Sequence, residues 1–364
     1  MTASASPVTI VAHDYLTQRG GAERVALEIA RQLGAREIIT SVFDPANTFH
    51  GFDEFTITES TSRALHSLRG DMRWGLPLLA QAWSQMPPVD ADVLVCSSSG
   101  WAHGLPTTER TKKVVYCHNP ARWLYQRADY VTDQSLPVRA LLAALTPRLR
   151  SWDQRAAQSA QLYVANSVSV AARIERVYGI RAEVLHPPLS IDVTGPRDAV
   201  PGVPDEYFLS VSRARGYKGT SLLIDSFARM PERTLVIVGV QPSPSLPRNV
   251  LALGNVSEAH LRWLYAHTRA LMSMSHEDFG LTPIEANAFG RPALVLRAGG
   301  FLDSTVEGVS GLFIDDETVD AVITAVRTFP AEWNTEAIRA AAERFSPASF
   351  AHNLREVIAG ARAL

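Results

Sequence analysis

Two cysteines in 364 residues are too few for a disulfide framework. Cys96 and Cys117 each close an apolar run, "DVLVC" and "KVVYC", so both read as buried thiols of a reducing compartment. Charge of one sign is also missing: 35 Lys and Arg against 37 Asp and Glu leave a net charge of −2. No global field draws this chain to nucleic acid, and any basic patch has to be local. There is no apolar run of about 18 residues, so no transmembrane helix is expected. The opening "MTASASPVTIVAH" lacks a basic segment followed by a long apolar stretch, so no signal peptide is expected and the location reads as cytoplasmic. A G-x-G-x-x-G fingerprint is absent, which argues against a dinucleotide dehydrogenase. No D-x-D follows a strand, and no lysine sits in a pyridoxal-phosphate context, so neither a metal nor a cofactor is expected. What remains is ordinary folded-protein composition, 46% hydrophobic and 20% charged. The length exceeds one ordinary core, so two domains are expected.

Short β-rich runs alternate with helical stretches along the whole chain. Strands are predicted at 8–13, 37–43, 92–98, 113–119, 161–167 and 182–187, with helical stretches between them. Residues 186–206, "HPPLSIDVTGPRDAVPGVPDE", are rich in proline and glycine and carry no period, which reads as a linker. Strands resume at 207–212, 234–239, 249–254, 270–275 and 292–297, with helices near 219–229, 257–268, 282–289, 317–328, 334–344 and 347–362. Unbroken apolar strands joined by helices imply α/β domains with parallel sheets covered on both faces. Such sheets place ligands at the carboxyl ends of their strands. The residues that follow strands therefore carry the functional reading.

"TQRGGAER" (17–24) follows the first strand, and Gly20 with Gly21 would let backbone amides approach an oxyanion or a sugar at a helix start. A plain strand-to-helix turn explains it equally well. "SVSRARGYKG" (210–219) sets Arg213 five residues before Lys218, a fork and an ammonium that suit a diphosphate. A solvated surface pair is the competing explanation. "HEDFGLTPIEA" (276–286) holds Glu277 and Glu285 eight positions apart. Thr282 as N-cap, Pro283 at the first helical position and Glu285 three residues after the cap would form a capping box. That leaves Glu277, Asp278, Phe279 and Gly280 unexplained. Carboxylates accept from adjacent sugar hydroxyls, and amides after Gly280 suit phosphate oxygens. Glu285 can cap its helix or face a ribose. "VVYCHNPARW" (114–123) ends a strand on His118, which can donate or accept near neutral pH. A lone histidine is more often structural.

Together these segments resemble the retaining glycosyltransferases of family 4, the glycosyl transferases group 1 domain, with the GT-B fold. The resemblance is nearly continuous from Tyr207 to about Asp316, through "YFLSVSRARGYKGTSLLIDSF", "LVIVG", "HEDFGLTPIEANAFGRPALVL" and "EGVSGLFI". The first half is similar more loosely, through "GGAERV", "HNPARWLY" and "ANSVSVAARIERVYG"; "HNPARWLYQRADY" is similar to the mannosyltransferase-like branch of surface-polysaccharide synthesis.

The resemblance implies two Rossmann-like domains whose sheets face a central cleft: an acceptor domain at 1–188, a linker at 189–205 and a donor domain at 206–345. A final helix at 346–364 would cross back to the first domain. It implies Arg213 and Lys218 on the donor diphosphate and Glu285 on the ribose. Glu277, with amides near Phe279, Gly280, Leu281 and Thr282, would hold the transferred sugar. His118 would lie near the anomeric centre, Gly20 and Gly21 where donor or acceptor approaches, and Val256 near the base. One departure stands out: where many members read G-G-x-x-E, this chain reads "GGFLDST", so Asp303 replaces the acid or the register differs.

Implied chemistry is metal-independent transfer with net retention, from a nucleotide-diphosphate sugar of GDP-mannose type to a glycan, glycolipid or lipid-linked acceptor. Two stretches could add peripheral contact with the inner face of a membrane: 65–83, with Arg69, Arg73 and Trp74, and 138–155, with Arg139, Arg148, Arg150 and Arg155. Core packing with a solvated basic edge explains both as well. Competing functions are a nucleotide-sugar epimerase of the same fold, or a non-catalytic nucleotide-sugar-binding protein; a phosphorylase is disfavoured by the chain length.

Overall fold

A computed structural model describes residues 8–60, 76–126, 136–212 and 219–363. The chain divides into two compact units, 1–186 with 350–364, and 187–349.

In the first unit, strands β1 (Thr9–His13), β2 (Glu37–Thr40), β3 (Thr56–Glu59), β4 (Val93–Ser98), β5 (Lys112–Cys117), β6 (Leu162–Ala165) and β7 (Glu183–Val184) form one parallel sheet. Their order is β3-β2-β1-β4-β5-β6-β7. Helices α1 (Gly21–Gln32), α2 (Leu76–Ser84), α3 (Arg122–Tyr125), α4 (Leu136–Gln158) and α5 (Val168–Tyr178) connect them. Alternate residues of each central strand enter different cores. Ala12, Leu94, Cys96, Val115 and Cys117 face one side, and Val11, Val93, Val95, Val114 and Tyr116 face the other. Burial on both faces is why these strands read as unbroken apolar runs.

In the second unit, β8 (Phe208–Val211), β9 (Leu235–Val238), β10 (Val250–Ala252), β11 (Ala270–Ser273), β12 (Ala293–Leu296) and β13 (Gly311–Ile314) form a parallel sheet in the order β10-β9-β8-β11-β12-β13. Helices α6 (Thr220–Ala228), α7 (Glu258–His267), α8 (Leu281–Ala288), α9 (Phe301–Ser304), α10 (Val319–Arg327) and α11 (Thr335–Glu343) cover it. Both sheets are doubly wound. Their switch points, where the strand order reverses, fall between β1 and β4 and between β8 and β11.

The last helix, α12 (Pro347–Ala363), packs on the first sheet. Phe350, Leu354, Ile358 and Ala361 recur on one helical face and enter the core that holds Val11 and Tyr116. Burying its three large side chains is worth about 1.5–3 kcal/mol each. The stretch read as a linker is fastened instead. Arg262, almost fully buried on α7, donates to the carbonyls of Asp192 (2.8 Å) and Pro196 (3.3 Å), while Ile191, Val193, Val200 and Val203 pack against the Tyr207 cluster. Its prolines and glycines mark irregular backbone, not freedom.

Candidate active site at the strand ends

The second sheet's switch point is built from the carboxyl ends of β8 and β11. Residues 213–218, which follow β8 in sequence and include Arg213 and Lys218, lie outside the described residues. The residue that follows them, Gly219, is tied to β11's exit: with φ of 62°, it sits so close that a Cβ would fall 2.1 Å from the Met274 carbonyl oxygen. After Met274 the chain runs through Ser275 to Glu277. Ser273 and Ser275 hydroxyls lie 2.9 Å apart, and Ser275 Oγ donates to Glu277 Oε1 at 3.2 Å. Glu277 is half-buried, and its backbone carbonyl accepts from Gly300 N–H at 2.9 Å. The Gly299–Gly300 pair therefore braces this turn. Asp303 follows on α9, half-buried, with its carbonyl accepting from Arg344 at 2.6 Å.

Phe279 anchors the turn below, buried and edge-on to Phe345 with centroids 5.5 Å apart. Gly280 then takes φ of 84°, where a Cβ would also meet Phe301 at 2.4 Å. This corrects the capping-box reading. Helix α8 starts at Leu281, two residues earlier than the capping box requires; Gly280 is its N-cap, and no side chain caps it. The left-handed glycine turns the chain into the helix directly, so Thr282 is already inside it. The first-turn amides have no intrahelical acceptor, and Pro283 supplies none. Donors therefore begin at Leu281 and Thr282.

Glu285 is not a cap either. Its carboxylate accepts from Ser190 Oγ (3.1 Å) and from the Tyr265 hydroxyl (2.6 Å). Burial, then the Glu285 carboxylate, pushes the Tyr265 phenol well above its ordinary value, so it remains a donor. Tyr265 stacks on Phe289 with planes 8° apart, which fixes the ring. Val256 is half-buried just before Ser257, whose hydroxyl caps α7 by accepting from His260 N–H at 3.1 Å. The second unit thus brings Glu277, Phe279, Gly280, Leu281 and Thr282 into one turn, with Glu285 one helical turn on.

The first sheet's rim is different. His118 leaves β5, buried, with its carbonyl accepting from Asn166 at 3.1 Å. Its Nε2 is 2.8 Å from Ser97 Oγ at the end of β4, and the same hydroxyl is 3.0 Å from Nδ1 of His13 at the end of β1. Burial first, then the neighbouring His13, pushes His118 down to about 3, against an opposing pull from Glu23. The imidazole is neutral at any physiological pH. Gly20 is the N-cap of α1 in extended backbone, φ −119°, and Gly21 opens the helix, exposed.

His13, Ser97, Glu23, Ser190 and Tyr265 were not singled out from sequence. His13 and Ser97 end predicted strands and Glu23 lies inside "GGAER", so their position offered a signal; Tyr265 offered none.

A second polar cluster lies nearby. Ser98 Oγ is 3.2 Å from His103 Nδ1, and His103 Nε2 is 3.1 Å from Asp153. It resembles a nucleophile triad in composition only. Ser98 Oγ donates to Asp14 and accepts from the Gly100 and Trp101 amides, and every member is almost fully buried. Asp14 also takes the amides of Ser99 (2.6 Å) and Ala102 (2.7 Å), so the cluster ties β1 to the short helical turn after β4.

A cavity of about 530 Å³ opens elsewhere in the first unit, between strands β1 to β3 and α2, lined by Ile10, Ile39, Leu78 and Gln81 among others. It includes none of the candidate residues. Among the described residues no group of three or more His, Cys, Asp or Glu could hold a metal, and no helix is long and apolar enough to cross a membrane.

Two doubly wound parallel sheets in one chain, each with polar side chains at its switch point, define a two-unit α/β protein of Rossmann-like type. A family model described as Glycosyltransferase Family 4 matches residues 19–193, and one described as Glycosyl transferases group 1 matches residues 197–344. Between them they span most of the chain, which belongs to the family 4 glycosyltransferases with the GT-B fold.

Among curated relatives, the D-inositol 3-phosphate glycosyltransferase of Nocardiopsis dassonvillei is 27% identical over 247 residues. That alignment covers 58% of this chain and 57% of the relative, little more than half the relative's length. The human alpha-1,3/1,6-mannosyltransferase ALG2 is 25% identical over 398 residues, 92% of each chain. Among solved structures, Anabaena HepE in complex with UDP and glucose is similar in fold, with a TM-score of 0.69 at 17% identity over 96% of this chain and 99% of that one.

Proposed function

We propose that this protein is a retaining, metal-independent glycosyltransferase. It moves a sugar from a nucleotide-diphosphate donor of GDP-mannose type to a glycan, glycolipid or lipid-linked acceptor of bacterial surface-polysaccharide or glycoconjugate synthesis. The unit at 187–349 binds the donor, and the first unit binds the acceptor.

The observation that carries this reading is the turn at 277–282. A half-buried carboxylate and uncapped first-turn amides lie there at a switch point, on the segment that follows Met274, whose carbonyl Gly219 approaches. The turn offers an acceptor for sugar hydroxyls and donors for phosphate oxygens. Charge grows on the departing diphosphate, so Arg213, Lys218 and the amides stabilise the transition state more than the ground state. The leaving phosphate helps to remove the acceptor's proton as the acceptor attacks from the same face. Glu285, oriented by Tyr265 and Ser190, accepts from the donor ribose, and His118 contacts the transferred sugar. The protein acts at the inner face of the membrane; the exposed Arg148, Arg150 and Arg155 of α4 support that peripheral contact.

The test is a thermal-shift screen with GDP-, UDP- and dTDP-sugars, in which a cognate donor at a hundred times its Kd stabilises by about 2.7 kcal/mol. Transfer to a lipid-linked acceptor with the anomeric configuration kept, and unchanged by EDTA, is the expected outcome. Donor binding with neither transfer nor hydrolysis would favour a non-catalytic binder, and conversion of the donor sugar without acceptor would favour an epimerase.

A further inference from the structure

At the first sheet's switch point, four side chains form a line: His118, Ser97, His13 and Glu23. Ser97 Oγ is 2.8 Å from His118 Nε2 and 3.0 Å from His13 Nδ1; His13 Nε2 is 4.0 Å from Glu23 Oε1. Gln18 donates to that same carboxylate oxygen at 2.8 Å. Residue exposures of 8%, 0%, 2% and 2% along the line leave little room for water to supply or remove a proton between neighbours. The proton positions must therefore be mutually consistent.

A hydroxyl carries one proton, so Ser97 can donate to one imidazole and must accept from the other. Glu23 decides which. It lies in the first turn of α1, where the helix end favours a negative charge. Burial alone would raise its pKa, but the His13 contact, Gln18 and its own backbone amide hold the carboxyl below its ordinary value. In the form of His13 that carries a single proton, the carboxylate facing Nε2 keeps that proton on that nitrogen. His13 Nδ1 is then a lone pair and takes the Ser97 proton. Ser97 in turn accepts from His118 Nε2–H, which leaves His118 Nδ1 bare. Among the described residues, no hydrogen bond to that Nδ1 is formed.

We infer that Glu23, His13 and Ser97 are positioning residues that lock His118 as its Nε2–H tautomer, so that Nδ1 accepts a hydrogen bond from a hydroxyl of the sugar substrate. The substrate half of this statement rests on the proposed function; the tautomer does not. A tautomer-locked imidazole selects a hydroxyl and rejects a second acceptor, which a freely titrating histidine would not do.

The test is long-range ¹H–¹⁵N NMR of the full chain labelled on histidine nitrogens, at about pH 8, above the ordinary histidine range. The wild-type protein should show His118 protonated at Nε2 and bare at Nδ1. Glu23→Gln and Ser97→Ala should each move population to the Nδ1–H form, while Ser97→Thr, which keeps the hydroxyl, should retain the wild-type pattern. In transfer assays the first two should lower kcat about tenfold with donor KM little changed, in line with one weakened hydrogen bond, and Ser97→Thr should restore it. Wild-type His118 protonated at Nδ1, or a pattern unmoved by both Glu23→Gln and Ser97→Ala, overturns the inference even if transfer is observed. The Nε2–H tautomer in a protein that transfers no sugar sinks the proposed function and the substrate half together, and leaves the relay standing.

Discussion

The two switch points occupy the same topological place and are built in opposite ways. In the first unit, side chains from β1, β4 and β5 answer one another, and His13, Ser97 and His118 are buried, His118 the least so. In the second, β11 leads into a glycine turn whose half-buried Glu277 and uncapped amides at Leu281 and Thr282 line the rim. One rim fixes the state of a side chain before any ligand arrives; the other fixes the path of the backbone. The first should be sensitive to isosteric changes of chemistry and the second to added volume. Under the proposed function, the diphosphate charge falls to the second rim, and both rims meet sugar hydroxyls.

The largest effect expected is on the charge-handling rim. Lys218→Ala and Glu277→Ala should each lower kcat/KM by roughly 10²–10³-fold, the scale of a lost transition-state donor or sugar anchor. Lys218→Ala should also weaken donor binding. Steady-state kinetics with the cognate donor would read this against the tenfold loss expected for Ser97→Ala. Losses of the same size on both rims would erase the contrast.

Next comes Gly280→Ala, which tests volume on the same rim. It adds about 1–3 kcal/mol of left-handed backbone strain and about 1–3 kcal/mol of overpacking against Phe301. Urea unfolding should show a loss of several kcal/mol, with donor affinity falling as well. A variant as stable as the wild type would mean that the turn is soft, and that the second rim does not depend on its backbone path.

Much of this was legible in the sequence, for physical reasons that vary by element. Strands buried on both faces, such as Val93–Ser98, announce themselves as apolar runs. β3 does not: "TITE" is a four-residue edge strand with a half-exposed alternation, and nothing in it demands burial. β13 opens on a glycine and is equally short. The turn at 277–282 was visible through its glycine and paired glutamates, yet local grammar misassigned the cap. Thr-Pro-Ile-Glu satisfies a capping box on paper, but Gly280 enters the helix first and Glu285 is held by Ser190 and Tyr265, 95 and 20 positions away in sequence. Partners at such separations leave no local trace. The relay around Ser97 is half-legible: its residues sit at predicted strand ends and in "GGAER", but only the sheet order shows that they meet.

Tyr265→Phe examines the one place where the second rim uses a side-chain brace. It removes a 2.6 Å hydrogen bond to an acidic side chain and leaves Ser190 alone on Glu285. The loss should be about 1.5–2 kcal/mol, or roughly tenfold or somewhat more in donor Kd by titration calorimetry. An unchanged Kd would show that Ser190 alone orients the carboxylate, and that the brace serves the fold.

The effect that is smallest in any one pH step, and that separates the rims most cleanly, is a slope. His118 is held down to about 3 in the folded chain, while an unfolded histidine titrates near its ordinary value of about 6.5. Above that value neither state is protonated and the contribution of His118 to stability is fully present. As pH falls from about 6.5 toward about 3, the unfolded chain takes up a proton that the folded chain refuses, so stability drops by about 1.4 kcal/mol per pH unit from this group. His118→Gln removes the titrating ring. Its urea midpoints, measured between about pH 7 and pH 4, should therefore fall less steeply than those of the wild type by about that slope. Gly280→Ala removes no titrating group, so it should lower the whole curve and leave its slope unchanged. If the two variants gave parallel curves, His118 would not be buried in the state that unfolds. The first rim would then be open to solvent, and the contrast between a buried relay and an open backbone turn would fail at its root.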